Sequence, residues 1–172
     1  MRREAGTALG TRGVLVFPIG EILLGAPVEE VSGLIEGEHI APLPRQSGPA
    51  AGVLAFRGSM IPALDLCVYL DMPAAEGPPK PKYGIVLMRG VERFALLVPA
   101  LPRLVPGRDL KPAQHGADPE LADFVSSIYQ AGLEQIHCLR YWSIFDSVIP
   151  PAPPRSVGTR AAPSTRRMGD VA

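Results

Sequence analysis

Cysteine is nearly missing from this chain of 172 residues: only Cys67 and Cys138 occur, each inside or beside an apolar run. Two isolated cysteines cannot build the disulfide framework of a small secreted domain, so they read as buried thiols. An excess of one charge sign is missing too, with 17 basic against 17 acidic residues. That balance removes the polyanion attraction of a general nucleic-acid binder, and no nucleic-acid partner is expected. Long hydrophobic runs are absent as well. The best one, VLVFPIGEILLG, is broken by Pro18, Gly20 and Glu21, which excludes both a signal peptide and a membrane span.

Catalytic patterns are equally scarce. The sequence holds no GxSxG elbow, no GxxxxGK phosphate loop, no HExxH and no CxxC. His39, His115 and His137 lie in separate segments. QHGADPE gathers His115, Asp118 and Glu120, but GADPE reads first as a turn in which Asp118 caps a helix begun by Pro119. Cys138 follows His137 directly, and neighbours on a strand point to opposite faces, so the two cannot form a nucleophile and base. An enzyme is the minority reading, and no metal or cofactor is expected.

What the chain does have is short apolar runs punctuated by Gly and Pro: GVLVFPIG, EILLGAP, GVLAFRG, MIPALDL, YGIVLMRG, RFALLVP and RYWSIFDSVI. Runs of this length, rich in Val, Leu, Ile and Phe, predict a mainly β body. RGVER, between Met88 and Phe94, is a hairpin candidate because Gly90 supplies positive φ. One or two short helices are expected, in APVEEVSGLI and in DPELADFVSSIYQ, where apolar residues recur at helical spacing. The ends differ from the body. Residues 1–12 are polar and small and read as a flexible N-terminus. Residues 150–172 are rich in Pro, Ala, Ser, Thr and Arg and read as a disordered tail, leaving 13–149 as the domain.

One segment, GVLAFRGSMIPALDLCVYLDMP, resembles the central motif of the CheW-like domain of bacterial chemotaxis proteins. The matching positions are Gly52, Val53, Arg57, Gly58, Pro62, Asp65 and Leu66. LVFPIG resembles the family's first strand, APLPRQSG its proline loop, YGIVLMRGVERFALLVPAL the hairpin that begins its second lobe, and YWSIFDSVI its closing strand. The resemblance implies two five-stranded SH3-like barrel lobes packed together. It implies a non-enzymatic cytoplasmic scaffold that joins the cytoplasmic tip of a chemoreceptor, a methyl-accepting chemotaxis protein, to the regulatory domain of a CheA-type histidine kinase. The alternative is a diverged adaptor that binds receptor but has lost kinase coupling.

By the same resemblance, Val31, Gly33, Gly52, Arg57 and Gly58 would line the receptor groove, and Leu70 and Met72 would contact the kinase from the first lobe. Two positions depart from the family. Gly33 stands where a glutamate commonly pairs with the motif arginine, and Pro99 stands where aspartate is usual. A buried unpaired guanidinium is strongly unfavourable. Either Glu29, Glu30, Glu36 or Asp65 takes the glutamate's place, or Arg57 faces solvent or a partner.

Overall fold

The computed structural model describes residues 11–36, 40–41, 48–72 and 83–149. The expected tail 150–172, residues 1–10 and most of the APLPRQSG loop lie outside them. Thr11 and Arg12, expected in the flexible N-terminus, are instead anchored: the Thr11 hydroxyl and the Arg12 backbone N–H both donate to the Glu29 carboxylate.

Among the described residues, twelve strands form two antiparallel-rich sheets. The chain starts with the hairpin β1 (Gly13–Ile19) and β2 (Ile22–Pro27), turned by Gly20 at φ 60. It then builds a central lobe from β3 (Val31–Glu36), β4 (Ile40–Ala41), β5 (Ala50–Phe56), β6 (Ser59–Asp65), β7 (Tyr83–Arg89) and β8 (Glu92–Val98). Their order across the sheet is β3-β7-β8-β6-β5-β4. The return gives β9 (Arg103–Pro106), β10 (Lys111–Pro112), β11 (Val125–Ala131) and β12 (Glu134–Leu139), which join the first hairpin in the order β10-β11-β12-β2-β1-β9. This second sheet is the terminal lobe. In each sheet one edge strand, β4 or β10, has only two residues, so five longer strands carry each lobe.

The hairpin of β7 and β8 was expected to open the second lobe. It belongs with the motif strands instead, because β8 runs parallel to β6 with Ala63 beside Ala95. The partner strand that β2 needs comes from β12, again in parallel.

The continuous apolar runs follow from the packing. Successive side chains of a strand point to opposite faces, and here both faces are covered. Val14 and Val16 of β1 enter the terminal-lobe core with Val105, Tyr129, Ile136 and Cys138. Leu15, Phe17 and Ile19 enter a core shared by both lobes. In β8, Ala95 and Leu97 fill the central-lobe core while Phe94, Leu96 and Val98 face the shared one. Prolines stand where no ladder partner is lost: Pro18 lies beyond Val16, the last β1 residue paired with β9, and Pro62 lies one residue before β6 meets β8.

The described residues hold two short helices, but elsewhere than expected. α1 (Leu66–Tyr69) follows β6, and α2 (Tyr141–Val148) occupies the segment expected as a closing strand. The helical period was legible there: Tyr141, Ile144 and Phe145 lie on one face and are buried. In APVEEVSGLI only Val28–Glu30 makes a 3-10 turn before β3 begins, since β3 has β7 to pair with. In DPELADFVSSIYQ the Asp118 carboxylate caps a turn by accepting from Glu120 N–H, and the β-branched and aromatic residues from Val125 onward form β11.

Candidate protein-docking site

Arg57 and Gly58 are the two loop residues of the β5–β6 hairpin, between the paired Phe56 and Ser59. Their φ values, 47 and 78, are both positive, as a type I′ turn requires. Space around Gly58 is open, so backbone conformation, not crowding, selects glycine there. Arg57 is exposed, and its guanidinium lies 5.0 Å from the centroid of the Phe56 ring. That is cation–π distance. No carboxylate among the described residues is within ion-pair reach of it.

The opening expected at Gly33 is occupied. A Cβ on Gly33 would come within 2.9 Å of Phe56 Cζ, so the Phe56 ring, not the arginine, fills the space left by the missing side chain. None of the four substitute acids reaches Arg57. Asp65 accepts from the N–H groups of Cys67 and Val68 as the N-cap of α1, and Glu29 holds Thr11 and Arg12. Gly33, Arg57 and Gly58 thus gather around Phe56 at one mouth of the central lobe. Val31 packs toward the shared core, with a register shift between it and Gly33. Gly52 is buried in a β5 bulge at φ 151, apart from this mouth.

Leu70 and Met72 are half-buried against the shared core, where exposed apolar residues were expected. Leu70 ends α1, and its N–H donates to the Leu66 carbonyl. The exposed apolar side chain of that helix is Val68, 47% exposed. Pro99 is half-buried just past the end of β8.

Leu34 and Leu104, outside the expected site residues, extend the shared core to the surface. Leu34 pairs with Ile85 and Leu104 with Leu15, and residues directly opposite in a ladder share a face. Both partners belong to the shared core, yet Leu34 is 45% and Leu104 57% exposed, on the edge strands β3 and β9. A signal existed: an apolar residue at the end of an alternating face, without a polar replacement.

α2 ties the lobes together. The Tyr141 hydroxyl donates to the Gly25 carbonyl of the terminal lobe at 2.7 Å. On the central lobe, Phe145 stacks on Phe94 with centroids 4.4 Å apart, and Arg89 lies 4.3 Å over the Trp142 ring. Burial pushes the Cys67 thiol up to about 11 and the Cys138 thiol up to about 12, so neither is a thiolate near neutrality. His137 accepts from the Asp118 N–H, and among the described residues no group of three His, Cys, Asp or Glu could hold a metal. No helix among them is long and apolar enough to cross a membrane.

Two packed β lobes, half-covered apolar edges and a solvent-facing turn arginine define a protein whose surface is suited to recognising other proteins. Residues 13–147 match the CheW-like domain, and the chain belongs to that family, which comprises scaffold and coupling domains of chemotaxis signalling. It is 27% identical over 135 residues to Protein FrzA of Myxococcus xanthus, covering 78% of this chain and 84% of FrzA. Its fold matches the crystal structure of the scaffolding protein TtCheW from Thermoanaerobacter tengcongensis. The TM-score is 0.61 at 21% identity, covering 76% of this chain and 89% of TtCheW.

Proposed function

We propose that this protein is a non-enzymatic, cytoplasmic coupling protein that links the cytoplasmic tip of a chemoreceptor to the regulatory domain of a CheA-type histidine kinase. The observation that carries this reading is the CheW-like match over 13–147, spanning both lobes. The mouth around Gly33, Phe56, Arg57 and Gly58, with Val31 beside it, is the candidate receptor face. Gly52 would act only through the shape of β5. The α1 end, with Leu70 and Met72, is the candidate kinase face.

A second reading, an adaptor that keeps the receptor and has lost the kinase, draws support from the α1 end. Leu70 and Met72 pack against the shared core there, which leaves Val68 as the exposed apolar side chain of α1. Separate titrations of the protein with the receptor tip and with the kinase regulatory domain distinguish the two. Binding of both supports coupling, receptor binding alone supports the adaptor, and binding of neither removes both readings.

A further inference from the structure

The core of the central lobe ends in an unfinished layer. Val86 and Ala95 are cross-strand partners and fully buried, and the next pair on that face is Met88 and Arg93. Met88 is 38% exposed, and Arg93 Nε is buried with no hydrogen-bond partner. A sealed guanidinium donor without an acceptor is costly, and native proteins rarely leave one unmade. Glu92 and Asp146 both bond Arg89, and Arg89 and Glu92, one step along the strands from Met88 and Arg93, point to the opposite face of the hairpin. Neither Arg93 nor Arg57 has a carboxylate within ion-pair distance among the described residues.

The surroundings are apolar and exposed. β5 and β6 meet at the Arg57-Gly58 turn and β7 and β8 at the Gly90-Val91 turn, and because β6 runs parallel to β8 both turns lie at the same end of the sheet. Val91 there is 92% exposed, and Met60, at the start of β6, is 62% exposed. The mouth therefore shows two cations, one with a missing acceptor, amid flexible apolar side chains.

We propose that this mouth receives a protein segment presenting a carboxylate beside apolar side chains. The carboxylate takes Nε and a terminal nitrogen of Arg93 side by side, matching the planar fork of the guanidinium. The apolar residues cover Met88 and Val91. Methionine suits the task because its unbranched side chain can move aside and repack without moving the strands. A small anion alone would satisfy Arg93 and leave Met88 and Val91 wet. The inference rests on the reading of this chain as a docking scaffold, but not on which partner uses which face.

The test follows the Arg93 Nε–H resonance by NMR, assigned by its loss in Arg93→Met. The probes are a blocked amphipathic peptide of Leu and Glu, the same peptide with Gln for Glu, and sodium acetate. The Glu peptide is expected to shift the resonance saturably. The Gln peptide should bind at least tenfold more weakly, acetate should not reproduce the shift, and Val91→Glu should weaken the Glu peptide about tenfold. Arg93→Met should keep or raise Tm, because it removes a donor that the fold leaves unmet. An unmoved resonance, equal binding of the Gln peptide, an acetate shift as large as the peptide's, or a large fall in Tm for Arg93→Met would each overturn the proposal. Failure of wild-type protein to bind receptor or kinase would instead count against the coupling function and leave this titration unaffected.

Discussion

Arg89 and Asp146 meet across 57 positions of sequence through two parallel hydrogen bonds of 3.0 Å each, joining the β7–β8 hairpin to α2. The hydrogen bond from Arg89 holds the Asp146 carboxyl below the usual carboxylate range, with burial opposing it and the Arg89 charge adding to it. A carboxyl depressed on folding stabilises the fold above its unfolded pKa, and that contribution is lost as pH falls through the folded pKa. Wild type should therefore melt higher than Asp146→Asn at neutral pH. The gap should close on acidification through the carboxylate range and shrink in high salt. A gap that persists in acid would show that the contact acts through packing and not charge.

Asp65 works in the other direction. Burial raises its carboxyl although it caps α1 through the N–H groups of Cys67 and Val68. With the folded pKa above the unfolded one, its contribution declines as pH rises through that interval and then levels off. Asp65→Asn keeps a capping oxygen and should lose this decline, whereas Asp65→Ala should cost about 1 kcal/mol in urea melts below that interval and less above it.

Gly25 is needed for close approach. A Cβ there would lie 2.5 Å from Val14 Cγ1 and 2.7 Å from Ile136 Cγ2, both in the terminal-lobe core. Gly25→Ala should destabilise by about 1–3 kcal/mol through overpacking. An unchanged chemical-denaturation midpoint would mean that the strands can part at little cost.

At Arg57 stability and binding should separate. Asn-Gly is the favoured pair for a type I′ turn, so Arg57→Asn should be as stable as wild type or more so. If the mouth is the receptor face, the same variant should bind the receptor tip more weakly. Equal affinity would remove Arg57 from that face. Gly33→Glu should lower Tm because Phe56 must move.

Around α1, the residue to charge is Val68. Leu70→Glu or Met72→Glu disturbs the shared core and lowers stability, confusing any binding result. Val68→Glu should leave Tm within about a degree or two, since exposed substitutions typically cost no more than about 0.5 kcal/mol. If α1 meets the kinase, it should still weaken kinase binding.

Much of the fold was legible because strands buried on both faces advertise themselves as unbroken apolar runs, as in GVLVFPI and ERFALLV. Lobe membership was not, since parallel pairing of β6 with β8 and of β2 with β12 leaves no local signal. Helices were misplaced where a few apolar residues fell by chance at helical spacing, as in VEEVSGLI. The segment YWSIFDSV carries the same spacing and is helical, although its resemblance to the family's closing segment implies a strand. The mouth was half visible: Arg57 and Gly33 stood out by sequence, but the ring between them could only be seen in three dimensions. Arg93 gave no sign, because an arginine beside a hairpin turn usually lies in solvent.

The parallel pairing of Leu23 with Ile136 has a consequence for synthesis. The first hairpin leaves the ribosome well before its neighbour, separated from it by more than a hundred residues. At ribosomal speeds of about 5–20 residues per second the wait is on the order of ten seconds. Through that interval the edge of β2 is unpaired and its apolar faces are uncovered, so the nascent chain is sticky while the central lobe can already close on itself. Chaperone demand should fall early in synthesis, on this hairpin, and a circular permutant that begins at β9 and delivers β12 next to β2 would remove it.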